Sequence, residues 1–304
     1  MLVALTGATG YVGRYVVERL LRRDHAVRVL ARHPDRAGWM ADRGVEVVAG
    51  DLVSAASLAQ LVNGAGALVH LVGIIEELGR QTFQRVHVEG TRNVVDAARK
   101  AGVPRFVHMS ALGARNAPGA TAYHRTKAEA EAIVAASGLS YAILRPSLIA
   151  GPENAVLTML VRMIRFAPVI PVIGDGRYEL QPLAADDLAE VFAVAVERPA
   201  IAGTFDVAGP EKLTYHQLLD ALERALGVRR RRTRVPVAVA RAGAMVGTLV
   251  PMVSPITPSQ LTMLLEGNTT EQNAVSSVFG VTPRPFAEVT REMCAAFSPA
   301  RVPV

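Results

Sequence analysis

The sequence contains a single cysteine, Cys294, so no disulfide can form within the chain, and a reducing cytoplasmic setting is expected. It also lacks any long uncharged apolar run. No stretch of eighteen or more residues is free of charge and proline, which excludes a membrane-spanning helix as an expectation. The first residues, MLVALTGATG, have no basic segment followed by a cleavage site and read as a first strand, not an export signal. Lysine is nearly missing, confined to Lys100, Lys127 and Lys212, so arginine carries almost all of the formal +6 charge. Aromatics make up only 5% of the chain and none interleaves the one dense basic run, Arg229–Arg234, so nucleic acid is not an expected partner. That run reads either as a solvated edge strand or as a patch for phosphates, acidic lipid or an acidic partner. The seven histidines have no paired metal-ligand spacing and no second cysteine to assist them, so no metal site is expected. Internal repeats and low-complexity segments are also missing.

What remains is an ordinary globular composition, half hydrophobic over 304 residues, enough for one large or two modest domains. Apolar runs at Leu2–Leu5, Val27–Leu30, Val45–Val48, Ala67–Val72, Phe106–Met109 and Tyr141–Leu144 read as buried strands. Helical patterns lie between them, clearest at Tyr11–Arg23, Arg85–Ala101 and Ala122–Ala136. Alternating strands and helices predict an α/β fold, a doubly wound parallel sheet of Rossmann type over residues 1–150. Beyond Leu144, prolines and glycines thicken. A helix over Ala185–Val196, a strand at Thr204–Val207 and a helix at Tyr215–Gly227 predict a smaller C-terminal α/β lobe over 151–304, not independent of the first. The stretch VPVAVARAGAMVGTLVPMVSPIT, Val235–Thr257, carries one charge, Arg241, and follows the arginine run. It reads as core of the second lobe or as an exposed face that docks onto an anionic membrane surface or a membrane-associated protein complex. The second alternative puts the protein peripherally on the inner face of a membrane.

Three features bear on chemistry. Thr6-Gly7-Ala8-Thr9-Gly10-Tyr11-Val12-Gly13 follows the first strand and opens a helix. In that context Gly7 serves a tight turn, Gly10 lets backbone approach a pyrophosphate, and Gly13 lets helix and strand pack closely. At the end of the second strand, where NAD sites place an acid for the ribose 2′-hydroxyl, stands Arg32, with His33 and Arg36 nearby. A guanidinium suits a 2′-phosphate, so NADP(H) is expected and NAD(H) is the lesser alternative, as is a plain surface arginine. Asp51, before Leu52, is placed to accept from an adenine amino group or simply to form a turn. Leu71 and Gly73 bring backbone beside a cofactor at the end of the fourth strand. Finally, Tyr123 and Lys127 stand four residues apart on one helix face. An ammonium beside a phenol favours phenolate, making Tyr123 an acid/base toward a carbonyl or alcohol oxygen.

The strings TGATGYVG, GDL, VEGTRNVVDAA, RFVHMSALGA, YHRTK and LRPSLIAGP resemble the extended branch of the short-chain dehydrogenase/reductase superfamily. LQPLAADDLAEV, GTFDVAGPEKLTYHQLL and TPSQLTMLLEGN resemble one atypical group within it, which includes the NADPH-binding accessory subunit of respiratory complex I and its bacterial relatives. The resemblance implies Tyr123 and Lys127 as catalytic and cofactor-binding residues and a nicotinamide-side role for Pro146 beside Arg145. It also exposes departures: Ala111 stands at the family's catalytic Ser/Thr, with Ser110 one position early, and His87 stands at its usual asparagine. Ser110 could substitute for the hydroxyl only if the strand geometry differs. Three functions stay open: an NADP(H)-dependent oxidoreductase on an unknown small molecule, a non-catalytic NADPH-binding assembly module, or a nucleotide-sugar epimerase or dehydratase.

Overall fold

A computed structural model describes residues 1–249 and 257–295, with side-chain surroundings for 1–246 and 257–295. The chain divides into two compact units. The first takes Met1–Pro146, Ala185–Val207 and Gln272–Thr282; the second takes Ser147–Ala184, Ala208–Glu271 and the chain from Pro283 onward. The division expected at residue 150 is therefore interleaved, with two stretches of the second half belonging to the first unit.

The first unit is laid down in order as β1 (Leu2–Thr6), α1 (Tyr11–Arg22), β2 (Ala26–Ala31), the short α2 (Gly38–Ala41), β3 (Glu46–Ala49), α3 (Ala55–Val62), β4 (Ala67–His70), α4 (Gly90–Lys100), β5 (Arg105–Met109), α5 (Ala122–Ala135) and β6 (Ser140–Pro146). A seventh strand, Gly203–Val207, completes an all-parallel sheet on the flank of β6. The spatial order is β3-β2-β1-β4-β5-β6 followed by that strand, so the order reverses between β1 and β4. Such a reversal opens a crevice at the carboxyl ends of β1 and β4, where doubly wound sheets bind their ligands. The strands are β-rich in Val, Leu and Ala and are covered on both faces, which is why they read as apolar runs without alternation. On one face, Ala4, Leu68, Phe106 and Ile143 pack against Leu58 and Leu61 of α3, Val94, Val95 and Ala98 of α4 and Val134 of α5.

Charge anchors the late elements of this unit. From α1 and the turn after it, Arg19 reaches Asp186 and Glu190 at 2.9 and 3.0 Å, Arg23 reaches Glu190 and Glu197, and His25 reaches Glu197, all on helix Ala185–Glu197. Arg105, only 2% exposed, donates to the carbonyl of Ala195 in the last turn of that helix at 2.9 Å and to that of Ile201 beyond it at 2.6 Å. Burial lowers this guanidinium to about 10 without neutralising it.

In the second unit, helices Ala155–Phe166, Tyr215–Leu226 and Phe286–Ala295 enclose a core of Leu157, Leu160, Ile164, Leu218, Leu222, Phe286 and Met293. Thr214 and Gln217 form a reciprocal cap at the start of the second of these, and Gly227, at φ 66°, closes its end in the left-handed conformation. The arginine run becomes strand Arg231–Val235, paired in parallel with Val169–Ile173, and leads into helix Val237–Leu249. Of the apolar tail, Ala244 is buried while Val239 and Val246 are exposed; Pro251, Pro255 and Met252 lie outside the described residues. No described helix is long and apolar enough to cross a membrane.

Candidate cofactor and catalytic site

The glycine loop lies across the carboxyl end of β1, against the end of β4. Gly7 has φ 84°, and a Cβ on it would stand 3.0 Å from the Val72 amide and 3.1 Å from the Leu71 carbonyl carbon. A Cβ on Gly13 would stand 2.2 Å from the Gly7 oxygen, so helix α1 can sit this close only with glycine there. Gly10 caps α1 in extended geometry, donating to the Gly7 oxygen at 3.1 Å; no side chain caps the helix and no acid occupies its first turn. Thr9 and Gly10 are exposed, while Val12 is buried beneath them. With no side-chain cap and no acid at this helix N-terminus, the glycine cradle fits a pyrophosphate laid on it. Tyr11 begins the helix beside Tyr15, ring edge to ring face at 5.7 Å.

β2 and β3 end side by side, with the Gly50 amide on the Ala31 carbonyl at 3.0 Å, which brings Arg32 and Asp51 to the same edge of the sheet. Arg32 is exposed and makes no hydrogen bond or ion pair among the described residues. Trp39 follows on α2, with the guanidinium groups of Arg14 and Arg43 over its ring at 5.4 and 5.3 Å. Asp51 is exposed and accepts from the Leu52 amide at 2.6 Å, the turn geometry that was one alternative for it, with its second oxygen left outward. Leu52 is buried, and its carbonyl accepts from Asn93 at 2.9 Å.

On the other side of the loop, Leu71 is buried, and the backbone at Gly73 passes so close to α5 that a Cβ there would lie 3.2 Å from the Lys127 ammonium and 3.6 Å from His87 Nε2. Lys127 is buried and donates to the Met109 carbonyl at 2.8 Å. Burial lowers it to about 8 against the opposing pull of Glu131. Tyr123 sits one turn earlier on α5, its ring edge-on to Phe83 at 5.9 Å and to His87 at 5.5 Å. The expectation that Lys127 draws the phenol down does not hold in the folded chain. Burial dominates and pushes Tyr123 up to about 12, so the phenol stays protonated at neutral pH. At the far end of this wall Pro146 is buried, and its carbonyl accepts from the Leu112 amide at 2.9 Å.

The two departures resolve differently. Ser110 does not replace the missing hydroxyl of Ala111: its Oγ donates to Glu131, which also binds Arg145 through Nε at 2.8 Å and through Nη2. Strand alternation has turned Ser110 toward that pair, of which Glu131 is buried and Arg145 half-buried. His87, by contrast, is at the centre of the site. Its Nε2 accepts the Ile74 amide at 3.0 Å, so the neutral ring carries its proton on Nδ1, which donates to Thr126 Oγ1 at 3.0 Å. Thr126 Oγ1 in turn donates a hydrogen bond to the Ala122 carbonyl at 2.9 Å. This tie between the chain after β4 and the helix carrying Tyr123 and Lys127 is possible because Gln84–Glu89 runs in π register before α4 begins, where a continuous helix was expected. Two more buried histidines underlie it. His70 bonds Thr6 at 2.6 Å and Thr91 at 3.1 Å, and His108 stacks on His70 at 5.3 Å. Burial holds His70 and His87 neutral, at about 3, and His108 well below its ordinary value.

A family model described as NAD(P)H-binding matches residues 7–160. The chain is 32% identical over 247 residues to a ceramide reductase of Caulobacter vibrioides, covering 80% of this chain and 77% of that one. It is 26% identical to NADH dehydrogenase [ubiquinone] 1 alpha subcomplex subunit 9 of Arabidopsis thaliana mitochondria, covering 78% of this chain and 61% of that one. Among solved structures, the NADPH-dependent quinone oxidoreductase of Escherichia coli, complexed with NADPH, superposes with a TM-score of 0.75 at 24% identity, covering 95% of this chain and 98% of that one.

Proposed function

Since the chain belongs to the NAD(P)H-binding family, we propose that it is an NADP(H)-dependent reductase of a carbonyl group on an apolar substrate. The observation that carries the cofactor choice is Arg32, a partnerless exposed guanidinium at the end of β2 where an NAD site would present a carboxylate. Gly7, Gly10 and Gly13 would hold the pyrophosphate, Arg32 the 2′-phosphate, and Lys127 with the backbone at Leu71 and Gly73 the nicotinamide side. The bound dinucleotide supplies hydride. Tyr123, a protonated phenol at neutral pH, has the state required of a proton donor to a carbonyl oxygen. Lys127, at about 8, remains largely ammonium at neutral pH and stabilises negative charge on that oxygen. The 32% identity to a ceramide reductase of Caulobacter vibrioides supports a reductase and an apolar substrate class.

One observation favours a second reading, a cofactor-binding module without turnover: the site lacks the hydroxyl at Ala111, and Ser110 is committed to Glu131. A missing donor at the reacting oxygen costs roughly 10²–10³ in rate. Titration of Trp39 fluorescence, the only tryptophan in the chain, gives the cofactor test. Arg32→Glu is expected to weaken NADPH at least about tenfold and to leave NADH unweakened. Equal wild-type affinity for the two would overturn the assignment. For turnover, Tyr123→Phe is expected to abolish NADPH oxidation by carbonyl substrates while NADPH binding persists. Oxidation that survives in Tyr123→Phe removes Tyr123 as proton donor.

A further inference from the structure

The chain leaving β2 at Arg32 makes one tight 3-10 turn, Pro34–Ala37, before α2 begins. Ala37 and Met40 of this stretch are buried, and Trp39 between them is half-buried. The indole is gripped from α1. Arg14 and Glu18 stand four residues apart on one face of that helix. The Arg14 guanidinium lies over the Trp39 ring at 5.4 Å. Glu18 binds Arg43 at 3.0 Å, and the Arg43 guanidinium lies over the same ring at 5.3 Å. Arg14 also closes the first turn of α1, its amide donating to the Gly10 carbonyl at 3.3 Å, so it stands one turn from the glycine cradle. Thr6 at the end of β1 lies opposite Leu30 of β2, and Arg32 follows two residues later. The cradle and Arg32 therefore leave the sheet side by side, and Trp39 ties α1 to the segment that Arg32 opens.

We propose, resting on the NADP(H) reading, that Arg14 is a second cation for the 2′-phosphate of the adenine ribose, stationed by Trp39. With Arg32 it sets the preference for NADP(H) over NAD(H). In a dinucleotide that ribose is joined directly to the pyrophosphate. A 2′-phosphate on it belongs between the start of α1 and the end of β2, the two places that carry Arg14 and Arg32. A guanidinium stacked on an indole is held through its face, which does not consume the in-plane N–H groups that meet a phosphate in pairs. The stack also leaves it less freedom to lose on binding than a mobile surface arginine has. Arg43 differs, since it is tied to Glu18, and its part is to hold the ring.

Calorimetric titration of the full chain with NADPH and with NADH, which differ only in the 2′-phosphate, measures this without any substrate. Arg14→Ala is expected to weaken NADPH about tenfold and NADH less than about twofold. Trp39→Leu keeps both arginines and removes the stack, and should weaken NADPH about threefold with NADH little changed. Arg22→Ala removes one positive charge from the same face of α1, two turns further on, and should leave both affinities as in the wild type. Equal losses for NADPH and NADH in Arg14→Ala would assign Arg14 to the shared pyrophosphate or to the fold, and overturn the proposal. So would wild-type NADPH affinity in Arg14→Ala or Trp39→Leu, or a loss in Arg22→Ala that matches Arg14→Ala. A wild type that binds the two dinucleotides equally fails the NADP(H) reading and this proposal with it. A wild-type preference that survives Arg14→Ala fails this proposal alone.

Discussion

Three imidazoles buried as neutral rings beneath the site make the protein acid-sensitive in a calculable way. His70, His87 and His108 are each at most 1% exposed, and burial keeps the folded-state values of the first two at about 3 and the third well below normal. In the unfolded chain each titrates near 6.5. Below that value the unfolded state takes up protons that the folded state refuses, so stability present above pH 6.5 is lost as pH falls toward the folded values. Because the folded values of His70 and His87 lie far below 5, their loss between pH 7 and pH 5 is set by the unfolded chain alone, about 1.9 kcal/mol for each ring and about 4 kcal/mol for the two, and His108 adds to it in the same direction. That is comparable to the whole stability of many domains. His108 isolates the effect, since neither ring nitrogen has a hydrogen-bond partner among the described residues and its contact with His70 is a ring stack. His108→Phe keeps the stack and the buried volume and removes one titrating ring. Urea unfolding at pH 7 and pH 5 should show a smaller loss in His108→Phe than in the wild type, by up to about 2 kcal/mol, with stability at pH 7 equal or higher. An unchanged loss in His108→Phe would refute the argument, because a ring that charges freely in the folded state contributes no such term.

Other consequences follow from contacts that cannot relax. Gly13→Ala drives a Cβ to within 2.2 Å of the Gly7 oxygen and 2.6 Å of Ala8 Cα, both backbone. A cost of about 3 kcal/mol or more is expected, with the Tm lowered by about 5 °C; an unaltered Tm would contradict the packing of α1 on the loop. Glu131→Gln leaves Arg145 and Ser110 with a weaker acceptor and removes the charge that holds Lys127 up. Stability should fall by about 2 kcal/mol, and the Lys127 midpoint should move below 8, a shift resolvable by NMR in a chain with only three lysines. A Lys127 midpoint that stays in place would remove Glu131 from its surroundings. Saturating NADPH, at a hundred times its Kd, should raise the Tm by about 4 °C; no shift would mean that the glycine loop binds no dinucleotide.

The sequence by itself determined the sheet and the loop, because both rest on local rules. Parallel strands buried on two faces must be short apolar runs, and a backbone that must turn and then pack a helix within 3 Å must place glycine at 7 and 13. Arg32 was legible for the same reason, as a charge at a position fixed by counting from strand ends. The Tyr123–Lys127 pair was legible in spacing but not in electrostatics. The fall in pKa expected from an ammonium four residues away is a local argument, whereas the desolvation that overrides it comes from Phe83, His87 and the strand ends packing around the ring. Only the tertiary structure decided the fate of the two departures. Ser110 is turned from the site by the Glu131–Arg145 pair, whose members lie fourteen residues apart and share no motif. His87 gains its role from a π turn that no periodicity announced and from partners at Ile74 and Thr126, thirteen and thirty-nine residues away. The arginine run likewise could not be sorted from sequence: Arg230 donates to the Ile164 and Arg165 carbonyls and Arg232 pairs with Asp220 and Glu223, while Arg231 is exposed. That depends on which carbonyls and carboxylates another element of the fold happens to present, and a string of like residues carries no record of them.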